Sequence, residues 1–217
     1  MAEISVISVN VGLPKAYAHR GQLVHSAIHK LPVTGPVHVG SLGFEQDTQV
    51  DLQHHGGTEQ AVYAYFEVGY EHWNQSPWAP LPYGILGDNL TLSGLTEESL
   101  HIGDQLQIGS AILEASQPRQ PCFKLNLVMN DTQFMKQFLN SRRLGCYFRV
   151  LREGQITTGD RVSIVHSAAD SLTVADIIRL RFFADDASTD ELAEAANLLA
   201  LSPEWRSYFA ERANATS

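Results

Sequence analysis

Short runs of alternating apolar and polar residues fill most of the chain up to about residue 165, and this period of two predicts β-strands. The clearest runs lie at 4–11, 61–66, 111–116, 146–151 and 161–165. Glycine, proline, asparagine and aspartate separate the runs, as they do in turns. Many short strands with frequent turns favour a mainly β fold with a closed or nearly closed barrel, rather than alternating strand–helix–strand units.

A six-residue phrase occurs twice, as GDQLQI at 103–108 and as GDRVSI at 159–164. In both copies a glycine–aspartate pair precedes an alternating stretch. We interpret each copy as a glycine turn that leads into a strand, which is a structural role and not a catalytic one.

Helical spacing interrupts the strands at two places, 68–74 and 131–140. The second segment carries four large apolar residues on one helical face: Phe134, Met135, Phe138 and Leu139. Such a stripe is typical of packing against a core.

The pattern changes after about residue 170, where three short helices are expected. Thr173 stands three residues before Asp176, and Ser188 three residues before Glu191, as in capping boxes at helix N-termini. Pro203 suits the first turn of a third helix. The predicted helices cover about 173–183, 189–200 and 203–213. None is long enough to be stable alone, so they must pack on each other or on the barrel.

Length and composition fit one domain of ordinary size with a small appendage. The chain has 217 residues, of which 44% are hydrophobic. We therefore predict a β domain at 1–166 and a three-helix domain at 167–217. No apolar run is long enough to span a bilayer, and the N-terminus lacks the features of a secretory signal. These features predict a cytoplasmic protein with no membrane partner.

The formal charge is −9, from 15 Lys and Arg residues against 24 Asp and Glu residues. Such a surface repels polyanions, because phosphate backbones are bound by clustered lysine and arginine. A polymeric nucleic-acid partner is therefore not expected, whereas a small anionic ligand needs only a few local cations.

The two cysteines, Cys122 and Cys146, are too few for a disulfide framework, and we expect free thiols. Cys146 lies in an apolar run and is expected in the core. Cys122 lies in SQPRQPCFKLN at 116–126, between Arg119 and Lys124 and after two prolines that stiffen the chain. Nearby cations favour a thiolate, which is a nucleophile or a soft metal ligand. An ordinary buried cysteine fits the same residues, so both interpretations stay open.

Three further segments each have a structural and a ligand-binding interpretation. The HHGG at 54–57 is either a plain glycine turn or an anion nest of backbone N–H groups. The GDN at 87–89 is first of all a hairpin turn, although the Asn89 amide suits a heterocycle edge. Lys30, on a presumed strand, is either a solvated lysine or an anion ligand.

Taken together, four segments resemble the MOSC domain, the module named after the C-terminal domain of molybdenum cofactor sulfurases. They are SAIHKLPV at 26–33, HGG with AVYAY at 55–65, GDNLT at 87–91 and SQPRQPCFKLN at 116–126. The resemblance extends from near the N-terminus to about residue 165, and the helical tail resembles the YiiM-like subgroup. It implies a β-barrel of the pyruvate-kinase barrel type that binds a molybdenum–molybdopterin cofactor.

In the MOSC family the cysteine of the fourth segment is the protein ligand to molybdenum, which implies a catalytic and metal-binding role for Cys122. The resemblance also implies a set of residues that contact the pterin and its phosphate. Those expected are Arg119, Lys124, His55, Gly56, Gly57, Lys30, Asn89 and Asn126. YiiM-like members reduce N-hydroxylated compounds such as 6-hydroxylaminopurine to amines, and a flavoprotein is the expected electron donor.

The chain departs from the family pattern ahead of the HGG motif. The family segment reads close to G-x-E-G-D, whereas GFEQD at 43–47 has Gln46 in place of a glycine. Two other function classes are compatible with the residues: a carrier that holds the cofactor without turnover, and a metal-free thiolate enzyme or redox sensor that uses Cys122.

Overall fold

The structure is a computed structural model that describes residues 3–50 and 56–216. Within these ranges the strands are β1 (Ser5–Val11), β2 (Lys15–His19), β3 (Gln22–Ser26), β4 (Leu31–Pro32), β5 (Val37–Gly40), β6 (Gly43–Phe44), β7 (Val62–Phe66), β8 (Leu90–Ser93), β9 (Gln105–Ile108), β10 (Ala111–Pro118), β11 (Cys146–Arg152), β12 (Gly154–Ile156) and β13 (Val162–His166). The helices are α1 (Glu67–Trp73), α2 (Lys124–Met129), α3 (Phe134–Asn140), α4 (Val174–Phe182), α5 (Thr189–Asn197) and α6 (Pro203–Thr216), with a 3₁₀ turn at Thr58–Gln60. The strands predicted from alternation are all confirmed, with small shifts at their ends.

The central element is an eight-stranded sheet in the order β13–β9–β10–β11–β7–β8–β1–β4. Its two end regions meet through a bridge between Ser5 of β1 and Arg161, with a hydrogen bond from the Val6 N–H to the Asp160 carbonyl at 2.9 Å. The mainly β fold is confirmed. The described strands do not form a continuous ring, so the closed barrel stays a prediction.

Strand β8 departs from the hairpin that the GDN turn predicts. It pairs in parallel with β7, with Leu90 opposite Ala64, and antiparallel with β1, with Leu90 also opposite Val9. Helix α1 and a long connection separate β7 from β8, so the chain crosses over before it adds β8. The GDN turn therefore ends a crossover, and it places Asn89 between β1 and β7 in the middle of the sheet.

Strand β7 is buried along its whole length, because aromatic residues of α1 and α3 cover it. The Tyr65 and Phe138 rings are stacked with centroids 5.8 Å apart, and Trp73 packs on Phe134 at 5.0 Å. The predicted aromatic stripe is thus part of the core, although its helix begins at Phe134, three residues later than predicted.

The three predicted C-terminal helices are confirmed as α4, α5 and α6. Both capping boxes are present. The Thr173 hydroxyl accepts from the Asp176 N–H at 3.0 Å, and the Ser188 hydroxyl accepts from the Glu191 N–H at 3.3 Å. These local hydrogen bonds explain why the helices start where the sequence predicts.

The C-terminal helices lie against the sheet. The Ser202 N–H donates to the Ser116 carbonyl of β10 at 3.1 Å, and Arg149 of β11 donates to the Ala200 carbonyl at 2.9 Å. The domain boundary between residues 166 and 167 stays a prediction. None of the helices in the described ranges is long and apolar enough to cross a membrane.

Candidate functional site

A cavity lies beside β7, β11 and the loop that follows β10. It holds about 630 Å³ of space, part of which is open to solvent. The cavity brings together six of the predicted site residues: Lys30, Gly56, Asn89, Arg119, Cys122 and Lys124.

Cys122 lies in a short loop, residues 119–123, which we call the cysteine loop. The residue is partly exposed and lines the cavity. The loop predicted after strand β10 is present, but it is short, because Lys124 already begins α2. Pro121 cannot lie inside a helix, because an interior proline would clash with the preceding turn. Helix α2 therefore begins after Pro121.

Cys146 is fully buried in β11, as predicted. Its sulfur lies 3.4 Å from the Gln117 carbonyl oxygen and 3.1 Å from the Tyr147 carbonyl oxygen. Burial raises the pKa of this thiol above its ordinary value. The two cysteines therefore differ in access, and only Cys122 lines the cavity.

Arg119 is buried although it carries a charge. Its guanidinium lies over the Tyr63 ring, 4.6 Å from the centroid, and near the Phe138 ring, and it donates a hydrogen bond to the Leu86 carbonyl. Burial acts to lower its pKa, but neighbouring groups outweigh this effect and hold the pKa above its ordinary value. In the described part of the chain no carboxylate forms an ion pair with it. A buried cation of this kind favours a bound anion.

Lys30 is paired within the chain itself. Its Nζ lies 2.6 and 2.5 Å from the two carboxylate oxygens of Asp47, which also accept from the Gly12 N–H at 2.7 Å and the Asn89 amide at 2.8 Å. Burial lowers the pKa of Lys30, and Asp47 acts in the opposite direction. The strand predicted at Lys30 is wrong, because the residue lies in the connection between β3 and β4. Its charge is already balanced at the cavity wall.

Both predicted asparagines are used by the chain. The Asn89 side-chain oxygen accepts from the Tyr63 N–H at 3.2 Å, and its amide nitrogen donates to Asp47. The Asn126 oxygen accepts from the Met135 N–H at 2.7 Å, and its nitrogen donates to a backbone carbonyl in the turn between α2 and α3. Asn126 is not among the residues that line the cavity. Its position gives no support to the expected cofactor contact.

The HGG motif is described only in part, because His55 lies outside the described residues. Gly56 and Gly57 have φ angles of 103° and 80°, in the left-handed region that favours glycine. Gly56 lines the cavity, and Gly57 leads into the 3₁₀ turn. Lys124, at the start of α2, is buried and also lines the cavity.

Two tyrosines that the sequence identifies only as strand residues also line the cavity. Tyr63 of β7 and Tyr147 of β11 are opposite each other in register, with ring centroids 5.1 Å apart. The Tyr63 hydroxyl donates to the Leu144 carbonyl at 2.8 Å, whereas the Tyr147 hydroxyl has no hydrogen-bond partner among the described residues. Burial raises the pKa of both, so both are protonated at neutral pH. Sequence alternation alone could not identify them, since it does not give the register between strands.

Comparison with known families gives a match that spans the cysteine loop. The family model of the MOSC domain matches residues 51–163, more than half of the chain. The chain belongs to the MOSC domain family. Membership supports a function related to the molybdenum cofactor. The matched region contains Arg119, Cys122 and Tyr147, whereas the Lys30–Asp47 pair and the C-terminal helices lie outside it.

Similar proteins cover most of the chain. The uncharacterized protein YflK of Bacillus subtilis is 32% identical over 208 residues, which is 96% of this chain and 94% of that protein. A protein named "Reductase" from Gibberella moniliformis is 34% identical over 197 residues, which is 89% of this chain but 35% of that longer protein. The crystal structure of YiiM from Geobacillus stearothermophilus has a TM-score of 0.82 and 33% identity, and it covers 97% of this chain and 99% of that one. The chain is thus YiiM-like from strand β1 to the C-terminal helices.

Proposed function

We propose that this protein is a molybdenum-cofactor-dependent reductase that converts N-hydroxylated compounds to amines, with electrons from a flavoprotein. One observation carries the proposal. The same cavity contains a partly exposed thiol, Cys122, and a buried arginine, Arg119, with which no described carboxylate forms an ion pair. The similarity to a protein named "Reductase" supports the reaction class.

The residues present fit the cofactor. A thiolate is a suitable ligand for a soft metal ion, and Cys122 is the thiol with access to the cavity. A phosphate favours a planar guanidinium, and the buried charge of Arg119 gains from such a partner. Lys124 adds a second cation at the same wall. The cavity is open to solvent, so a ligand can reach these residues.

Each cavity residue has a separate task in this proposal. Cys122 holds the metal, and Arg119 and Lys124 hold the anionic part of the cofactor. Lys30 was expected in the same group, but its ion pair with Asp47 makes it a wall residue that joins separate segments of the chain. The positive φ of Gly56 keeps the backbone, without a side chain, at the cavity wall.

The reduction of an N–OH group to an amine consumes two electrons and two protons and releases one water. When bound, the molybdenum centre supplies the two-electron chemistry at the oxygen, and the flavoprotein supplies the electrons. Tyr147 places a protonated hydroxyl, without a hydrogen-bond partner among the described residues, at the wall that Cys122 also lines. Its raised pKa keeps it a hydrogen-bond donor, so it can orient a polar group of the bound substrate.

The proposal is tested by expression in a host that makes molybdopterin. Molybdenum and pterin are measured in the purified protein, and 6-hydroxylaminopurine reduction is assayed with an artificial electron donor. We expect about one metal per chain and amine formation in the wild type, and loss of both in Cys122→Ser. Arg119→Ala should lower the pterin content.

Cys146→Ser is the matched control, because a serine hydroxyl can donate to either of the two carbonyls that lie near the buried thiol. It should keep metal and activity. Wild-type metal content in Cys122→Ser would remove the proposed ligand. Bound metal without amine formation would instead indicate a cofactor carrier, and a metal-free protein with a reactive Cys122 would indicate a thiolate enzyme or redox sensor.

A further inference from the structure

The backbone of the cysteine loop is hardly tied to the rest of the protein. Pro121 has no N–H group. Within the described chain, the backbone hydrogen bonds of the loop reach only into α2, from the Leu125 N–H to the Cys122 carbonyl at 3.1 Å and from the Asn126 N–H to the Phe123 carbonyl at 3.0 Å. The position of the Cys122 thiol therefore depends on the side chains around it.

Besides the packing of Arg119 on Tyr63 and Phe138, side chains of the loop contact three different parts of the described fold. At its start, Arg119 donates to the Leu86 carbonyl. At its end, the Phe123 ring packs on His19 of the β2–β3 hairpin, with centroids 5.1 Å apart. Between them, Gln120 accepts a hydrogen bond from Arg181 of α4, which lies outside the region that the MOSC model matches.

Arg181 is itself held firmly. Its guanidinium carbon lies 3.4 Å from the centre of the Tyr208 ring and 5.3 Å from that of the Trp205 ring, both on α6. Such cation–π contacts attract the guanidinium and stabilise this position of the side chain. Its nitrogen reaches the Gln120 side-chain oxygen at 3.4 Å, which is a long and partly exposed hydrogen bond. The hydrogen bond is weak by itself, but the Arg181 side chain that donates it is already held by the two aromatic rings.

The C-terminal helices, which carry Arg181, are attached to the sheet close to the cysteine loop. The Ser202 N–H, at the start of α6, donates to the Ser116 carbonyl of β10, three residues before Arg119. The C-terminal helices are thus fixed to the strand from which the loop departs, and Arg181 spans from them to the loop.

We infer that Arg181 is a positioning residue for Cys122, and that the C-terminal helices restrain the cysteine loop so that the thiol faces the cavity. The restraint is a property of the metal-free chain. Its consequence for metal binding rests on the proposed function, since only there is the thiol a metal ligand. Loss of Arg181 should let the loop sample conformations in which the thiol is more open to solvent.

The test measures the reaction rate of Cys122 with an aromatic disulfide reagent in the metal-free protein. Cys146 is fully buried, so the fast phase reports Cys122 alone. We expect Arg181→Ala and Gln120→Ala each to raise the rate by about two- to fivefold, which matches the loss of one modest hydrogen bond. The double variant should show no further rise, because both changes break the same contact. Arg181→Lys, which keeps a stacked donor, should recover part of the restraint.

Arg179→Ala is the matched control, since Arg179 lies on the same helix but pairs with Glu191 of α5 at 2.7 Å. It should leave the rate unchanged. Thermal unfolding of each variant separates loop release from general loss of stability. An unchanged rate in both Arg181→Ala and Gln120→Ala would overturn the inference, and so would a rise in Arg179→Ala of the same size. Molybdenum content, measured separately in loaded protein, tests the proposed function and does not enter this outcome.

Discussion

Glu97 is a buried carboxyl group that should make the stability of the protein fall as the pH rises. Its side chain is buried, one oxygen accepts from the Gly145 N–H at 2.8 Å, and its carbonyl accepts from the Ala175 N–H of α4 at 2.9 Å. Burial raises the pKa of this carboxyl from 4.5 to about 7. The perturbation is Glu97→Gln, which keeps an oxygen for Gly145 but cannot ionise.

The sign and magnitude follow from proton binding. Below pH 4.5 the carboxyl is protonated in both states, and its contribution to stability is fully present. Between 4.5 and about 7 the unfolded chain loses the proton while the folded chain keeps it. The contribution of Glu97 to the free energy of unfolding therefore falls by about 1.4 kcal/mol per pH unit. About 3 kcal/mol of this contribution is lost once the pH exceeds the pKa of Glu97 in the folded protein.

The assay is urea-induced unfolding of the wild type and Glu97→Gln at a series of pH values from about 5 to about 8. The difference between the two proteins should grow in favour of the variant over this range and then level off. Any cost of the new amide N–H₂ group is independent of pH. The diagnostic quantity is therefore how the difference in unfolding free energy between the two proteins changes with pH. Glu194→Gln, at an exposed position of α5, is the control and should run parallel to the wild type. A parallel course for Glu97→Gln as well would refute the reasoning.

Three other changes test the cavity and its surroundings. Gln46 has a φ of 69° and an exposed side chain, so Gln46→Gly should raise the free energy of unfolding by about 0.5–1 kcal/mol, whereas Gln46→Ala should not. Asp47→Asn leaves the buried Lys30 charge without its partner and should cost about 3–5 kcal/mol in urea unfolding, part of which Lys30→Met should recover. Tyr147→Phe removes only a hydroxyl that has no hydrogen-bond partner among the described residues. It should keep the molybdenum content and raise KM for the N-hydroxylated substrate about tenfold. An unchanged KM would count against the assigned hydrogen bond.

Features that depend on neighbouring residues were predictable from the sequence. The capping boxes at Thr173 and Ser188 each need only residues within one helical turn, and both are present. The two turns of the repeated glycine–aspartate phrase also depend only on neighbouring residues. Asp104 accepts from the N–H of the residue three positions before it, and Asp160 does likewise, each at 2.9 Å. Both turns then lead into strands, β9 and β13, which pair with each other.

Features that join distant segments were not predictable in this way. The parallel pairing of β8 with β7 depends on a crossover that the GDN turn does not reveal. Tyr63 and Tyr147 are separated along the chain, and only the register of β7 and β11 places their rings together. Asp47 was visible in the sequence only as part of a motif that departs from the family pattern. Its partner Lys30 comes from another connection, and their pairing is a result of tertiary structure.

The difference between Lys30 and Arg119 decides which cation matters most for an anionic ligand. In the sequence both are candidates for the same phosphate, and in the structure both are buried at one cavity. A buried charge is costly unless a partner of opposite charge or several hydrogen bonds offset its desolvation. Lys30 has such a partner in Asp47, so a further anion would compete with an existing ion pair. Arg119 has a carbonyl and two aromatic rings but no described carboxylate in an ion pair, so an anion there adds an interaction without breaking one. For this reason, Arg119→Ala should lower the pterin content more than the double variant Lys30→Met/Asp47→Asn, which removes the ion pair as a whole.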